Sequence, residues 1–127
     1  MLFKGNIREA AKTNTDFRRV IATGPHSQLV TMSIKPKDDI GSEVHPATDQ
    51  MLFIVAGTGK AVVNSDTVEV KENDVVVVPA GARHNLINTG NTDLRLFTVY
   101  APPNHKDGTV HHLKADALAD EHDHVAH

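Results

Sequence analysis

Between residues 28 and 103 a turn signal interrupts the chain every six to twelve residues, which leaves no room for a long helix. Lys35-Pro36-Lys37-Asp38-Asp39 closes an apolar run over 28–34, and Pro46 follows a short extended piece at 43–45. Ala56-Gly57-Thr58-Gly59 ends a strongly apolar run over 50–55. Ser65-Asp66 reads as a tight hairpin turn between 60–64 and 67–70. Pro79-Ala80-Gly81-Ala82 separates 74–78 from 84–87, and a polar loop over 88–93 precedes a last run at 94–100. Short runs with this punctuation are strands, and a series of them builds a sandwich or a barrel. Residues 75–78 are valine throughout, so that strand is expected to be covered on both faces.

The 127 residues suit one domain, with a core barrel over about 20–101 and a polar, histidine-rich segment over 102–127. A chain of this size buries enough surface to hold together without staples. The ends differ from the body. Residues 6–18 are weakly helical, with Asn6 as the N-cap and Glu9 at the third helical position. Residues 114–123 suit a short surface helix, and His122, His124 and His127 read as a solvated end.

There is no cysteine, which removes disulfides, thiolate metal sites and cysteine nucleophiles together. That usage fits a reducing cytoplasm. The net charge is −3, from 13 Lys and Arg against 16 Asp and Glu, and no basic stretch marks a nucleic-acid footprint. No apolar run approaches the ~20 residues that span a bilayer. Residues 1–5 lack the apolar core and cleavage site of a signal peptide. A cytoplasmic protein with neither nucleic acid nor membrane as partner is therefore expected. Nine histidines against one tyrosine and no tryptophan give the first chemical hint.

Side chains two apart on a strand share a face, so Glu43 and His45 can enter the same cavity. Gln50 opens the next strand after a turn-like link and can return beside His45. Asp49 is its rival and faces the other way unless the strand is bulged. His84 stands just after a Pro-x-Gly turn. Each residue also has an ordinary role open to it: a solvated charge beside Asp38 and Asp39 for Glu43, a loop hydrogen bond for Gln50, a strand-end histidine for His84.

These residues resemble the motifs of the cupins. The first cupin motif has a Gly, His-x-His, three or four residues, a Glu, six residues and a Gly. Here it reads Gly41-Ser42-Glu43-Val44-His45-Pro46-Ala47-Thr48-Asp49-Gln50, then six residues to Gly57. The second has a Gly, five residues, Pro-x-Gly, two residues, His, three residues and Asn. Here Asn73 is followed by Pro79-Ala80-Gly81, His84 and Asn88 at the same spacing. The resemblance implies an all-β fold, a double-stranded β-helix (jelly-roll) barrel with short helical or irregular ends, holding one divalent metal ion. It would place Glu43 at the first histidine position, His45 at the second, Gln50 at the glutamate position and His84 at the histidine of the second motif. Two ligands are kept and two changed, and the net ligand charge stays at minus one. Carboxylate and imidazole suit Zn, Fe, Mn or Ni, and the neutral amide is the weaker donor. An immunoglobulin-like sandwich is the alternative fold, but it leaves the Pro-x-Gly-x-x-His spacing unexplained.

Other residues bear on a pocket. His26, Gln28, Val30, Met32 and Ile34 share one strand face. With Met32 and Ile34 inward, Gln28 and His26 would sit at the mouth, although Gly24-Pro25 also suits a surface turn at His26. Phe53 and Phe97 share parity with Met51 and Val99, and would pack between sheets or form a dimer face. His105, Asp107 and His111 read as an ordered loop with ordinary polar contacts, or as a cover for the barrel. Three functions follow. The first is a metal-dependent enzyme acting on a small molecule by dioxygenase, isomerase or lyase chemistry. The second is a non-catalytic module that binds a small molecule or sugar. The third is a structural partner working through an oligomer interface. A homodimer is expected under all three.

Overall fold

The computed structural model describes residues 2–120. The elements in chain order are α1 (Ile7–Thr13), β1 (Arg18–Thr23), β2 (Gln28–Ile34), β3 (Glu43–Val44), β4 (Asp49–Ala56), β5 (Thr58–Val63), β6 (Asp66–Lys71), β7 (Val75–Val78), β8 (Arg83–Asn88), β9 (Leu94–Ala101), β10 (Val110–His111) and α2 (Lys114–Ala119). The strands form two antiparallel sheets, one ordered β10-β1-β2-β9-β4-β7 and the other β3-β8-β5-β6. This is the expected all-β double-stranded β-helix. β1–β2 and β5–β6 are adjacent hairpins, whereas β2–β3, β3–β4, β4–β5, β6–β7, β7–β8, β8–β9 and β9–β10 cross between sheets or between distant positions in one.

Alternation along the strands decides what is inside. Val30, Met32 and Ile34 of β2, Leu52 and Ile54 of β4, and Leu94, Leu96 and Tyr100 of β9 are buried, and Ala61, Val70 and Leu86 of the smaller sheet meet them. The opposite parity of β4 and β9 faces outward, where Phe53 and Phe97 stack with ring centroids 4.7 Å apart. They do not pack between the sheets.

Turn chemistry corrects several expectations by a residue or two. Val63 pairs with Asp66, so the β5–β6 turn is Asn64-Ser65 and not Ser65-Asp66, and Asn64 takes a positive φ of 53°. Asn73, standing where the motif has glycine, has φ 73°, a conformation that asparagine tolerates better than most residues. Gly57 has φ 94°, and a Cβ there would lie 2.8 Å from the Asp93 carbonyl oxygen, so two constraints select glycine. The helix at the start runs only over Ile7–Thr13, with the Asn6 side chain accepting from the Glu9 amide at 3.0 Å as the cap pattern foresaw. Residues from Arg18 onward are already strand.

Residues 75–78 were expected to be covered on both faces, and that is wrong. β7 is the edge of its sheet, and Val75 and Val77 are 51% and 60% exposed while Val78 is buried. The segment after residue 101 is also more integrated than its polarity suggested: β10 pairs with β1, and His105 and His111 are buried. His122, His124 and His127, and the end of the helix expected over 114–123, lie outside the described residues. Among the described residues, no helix is long and apolar enough to cross a membrane.

Candidate metal centre

Register brings the four expected ligand residues together. Glu43 on β3 pairs directly with His84 on β8, so their side chains emerge side by side. His45 follows β3 at once, and its carbonyl accepts from the Gly81 amide at 2.9 Å, tying the Pro-x-Gly turn to it. Gln50 on β4 pairs with Tyr100 on β9. Asp49 faces away: it is exposed and its carboxylate accepts from the Ala80 amide at 2.8 Å, holding the same turn from outside. Gln50 is 2% exposed, which settles the choice between the two without a bulge.

Glu43, His45 and His84 each offer a ligand atom, and these atoms lie within 4.8 Å of one another. Glu43 Oε2 is 3.2 Å from His45 Nε2, and His84 Nε2 is 3.0 Å from Gln50 Oε1. Two atoms each ~2.1 Å from one ion and at right angles to it lie about 3.0 Å apart, so both spacings match edges of a coordination shell. The rings of His45 and His84 have centroids 5.1 Å apart.

Protonation agrees with that geometry. His84 Nδ1 lies 3.1 Å from the Ala82 carbonyl, and with the proton on Nδ1 the Nε2 lone pair faces Gln50 Oε1 and the cluster, an arrangement that a shared cation would reconcile. Burial pushes the His84 imidazole below its ordinary pKa, assisted by any charge on His45, against the Ala82 bond and Glu43, which raise it. The neutral ring is the form that ligates. Burial pushes the Glu43 carboxyl up, but contact with His45 and the positive charges of Arg18 and the imidazoles outweigh it and hold the group below its usual range. His45 Nε2 is buried and makes no hydrogen bond among the described residues, despite its nearness to Glu43. A buried orphaned nitrogen beside a carboxylate and a second imidazole is what a divalent cation satisfies.

The remaining contacts hold these groups still. Gln50 Nε2 donates to Thr98 Oγ1 at 3.0 Å, which aims the amide oxygen at His84. Tyr100 is 1% exposed and stands edge-on to His45, with centroids 5.8 Å apart, and edge-on to His105 at 5.0 Å. The sequence reading missed Thr98 and Tyr100. The signal was available: both share parity with Leu94 and Leu96 on β9, the face that points inward.

The expected pocket residues divide. Met32 is fully buried in the core. Gln28 is also buried, but its amide is occupied: Nε2 donates to Thr23 Oγ1 at 3.0 Å and to the His105 carbonyl at 2.7 Å, and Oε1 accepts from the amides of Asn104 and His105. It clamps the loop after β9. His26 is exposed in the β1–β2 turn after Gly24-Pro25, the surface-turn alternative and not the inward one. Polar residues at a two-strand turn have no reason to fold inward.

Comparison with known proteins gives the same picture. The family model described as "Cupin domain" matches residues 30–100. The Bacillus subtilis protein YrkC is 48% identical over 125 residues, which is 94% of this chain and 67% of YrkC. The crystal structure of BH2720 from Bacillus halodurans superposes with a TM-score of 0.92 at 42% identity, covering 93% of this chain and 94% of that one. The oxalate-binding protein of Thermotoga maritima is 32% identical over 68 residues, 54% of this chain and 56% of that protein.

Proposed function

This chain belongs to the cupin domain family, and on that premise we propose that it is a metal-dependent enzyme of a small-molecule substrate, with one divalent ion held by Glu43, His45, Gln50 and His84. The observation that supports this best is the convergence of half-buried Glu43 with buried His45 and His84, where His45 Nε2 has no hydrogen bond among the described residues. Zn, Fe, Mn and Ni all suit the ligand set. A bound ion with an open position would polarise a carbonyl or activate water or dioxygen, which spans dioxygenase, isomerase and lyase chemistry. The residues of the chain supply the rest. The Ala82 carbonyl orients the His84 ring, Thr98 orients the Gln50 amide, and Tyr100 packs on the His45 ring.

A non-catalytic binding module is the second reading. Gln50 favours it, because a neutral amide in the fourth position weakens hold on a metal. The absence of cysteine supports the cytoplasm as the compartment.

Plasma mass spectrometry of protein purified without chelator or nickel resin tests the metal. Near-stoichiometric metal is expected, falling at least tenfold in a His45→Ala/His84→Ala variant. Iron would direct attention to oxygen chemistry, and zinc or manganese to isomerase or lyase work. No metal in the unmodified protein, even after reconstitution, would overturn the enzyme reading and leave the binding module.

A further inference from the structure

Arg18 is the most unusual buried charge outside the cluster. It sits on β1 in register with Met32 and His111, and its inward side chain is 4% exposed. Its Nε is buried with no partner among the described residues, and Nη1 makes only a long contact, 3.5 Å, to His111 Nδ1. A guanidinium only donates, so His111 Nδ1 accepts. The His111 proton is then on Nε2, 3.0 Å from Asp120 Oδ2. The His111 ring thus stands between Arg18 and the Asp120 carboxylate. The Phe17 ring lies 5.2 Å from the guanidinium and adds a weak attraction. A guanidinium stays charged at any working pH; the Glu43 carboxylate, which Arg18 helps to hold ionised, offsets that charge in part, and the Arg18 Nε donor is still unsatisfied among the described residues.

Arg18 also lines a cavity of about 240 Å³ with Phe17, Ile40, Glu43, Leu118 and Asp120. Glu43 belongs to the metal cluster as well, so the cavity adjoins it. The volume falls below the ~300 Å³ at which pockets for drug-sized ligands begin, so its occupant is small.

We propose that Arg18 anchors the carboxylate of a small, singly charged organic acid in this cavity, with the acid's other end toward Glu43 and the metal cluster. The planar fork of the guanidinium matches a carboxylate, and Phe17, Ile40 and Leu118 offer apolar wall for a short carbon chain. Phosphate suits the site less well. Its second charge would face the carboxylates of Glu43 and Asp120, while Lys114 nearby is shared between Asp38 and Asp39. That this acid is the substrate rests on the metal-centre reading; the Arg18 contact does not.

The test is an NMR titration of the full chain with butyrate, and with inorganic phosphate at matched ionic strength, in metal-free and zinc-loaded protein. Saturable shifts are expected at the Phe17, Arg18 and Leu118 amides and at the Arg18 Nε–H with butyrate, and none with phosphate. Affinity for butyrate should fall at least tenfold in Arg18→Gln. Unchanged butyrate affinity in that variant, or a preference for phosphate, would overturn the proposal. Should Arg18→Gln fail to fold, the Arg18 Nε–H of the unmodified protein decides: a resonance that butyrate does not move overturns the assignment. Arg18-dependent butyrate binding in protein that never takes up metal would sink the metal reading alone, whereas metal uptake without a butyrate response would sink this one alone.

Discussion

The fourth ligand position concentrates the chemistry of this chain into one side chain. Gln50 is buried, its oxygen 3.0 Å from His84 Nε2, and its amide is aimed by Thr98. Replacing it by glutamate keeps the length and the oxygen and adds a charge, and cation affinity rises with ligand charge. Gln50→Glu is therefore expected to tighten zinc binding by roughly tenfold, read by competition with a chelating indicator. Weaker binding in the variant would mean that the amide does not face the ion. The positions of His45, Gln50 and His84 were legible because motif spacing reports which side chains a barrel brings together. Gln28 was legible only as an inward residue. Its use as a clamp on the 104–105 backbone depends on a loop 77 residues away, and no local pattern records that partner. The same holds for Arg18, whose strand was not resolved from the helical pattern before it.

At the scale of elements, the strands with strong alternation, β2, β4 and β9, could be read directly, and the short β1 and β10 could not. β10 has two residues and is held by pairing with β1, and β1 in turn is held along its length by β2, so neither is set by its own composition. β7 misled for the opposite reason: four valines satisfy any buried strand, and only topology puts them at an edge. α2 has six residues and no buried side chain, too few to be stable by itself, so its docking comes from outside. Lys114 provides it by reaching Asp38 at 3.0 Å and Asp39 as well. The Asp39 carboxyl is held below its ordinary pKa chiefly by the bond from Lys114, helped by Asn85, against burial. Lys114 is raised: burial lowers it, but its bonds to Asp39 and Asp38 prevail. A depressed carboxylate stabilises above its unfolded pKa of about 3.9, and the effect is lost as pH falls through the folded value. A raised lysine stabilises below about 10.4, and the effect is lost as pH climbs through the folded value. Docking of α2 should thus hold through neutral pH and weaken at both extremes. Lys114→Ala is expected to cost about 1 kcal/mol at most, since the pair is partly exposed and screened. Hydrogen exchange over residues 110–119 at pH 7 should quicken severalfold in the variant while β4 and β9 stay protected. Unchanged exchange would assign the docking to some other contact.

At the scale of the whole molecule, the outer face of the larger sheet is covered only in part among the described residues: α1 packs on β2, β9 and β4, burying Ala11 and Thr31, while Val75 and Val77 at the edge stay exposed. Cross-strand register lines up Leu29, Val99, Met51 and Val77 in one row, and Phe97, Phe53 and Val75 in the next. These residues have the outward parity of β2, β9, β4 and β7, and the row ends at an exposed edge strand. An apolar face that runs to an open edge invites pairing with other chains. A two-fold axis through such a face would close it with a second copy of itself and leave no surface for further growth. We propose a homodimer of this kind, with the metal centres inside each barrel and unaffected by it. Val75→Lys/Val77→Lys places two charges on the rows at positions that are already half exposed or more, so the fold should tolerate them. Light scattering at tens of micromolar is expected to give twice the chain mass for the unmodified protein and the single chain mass for the variant, with equal metal content in both. An unmodified protein that runs as a monomer would reject the dimer. A variant that stays dimeric would move the interface elsewhere and leave the valine rows as bare surface.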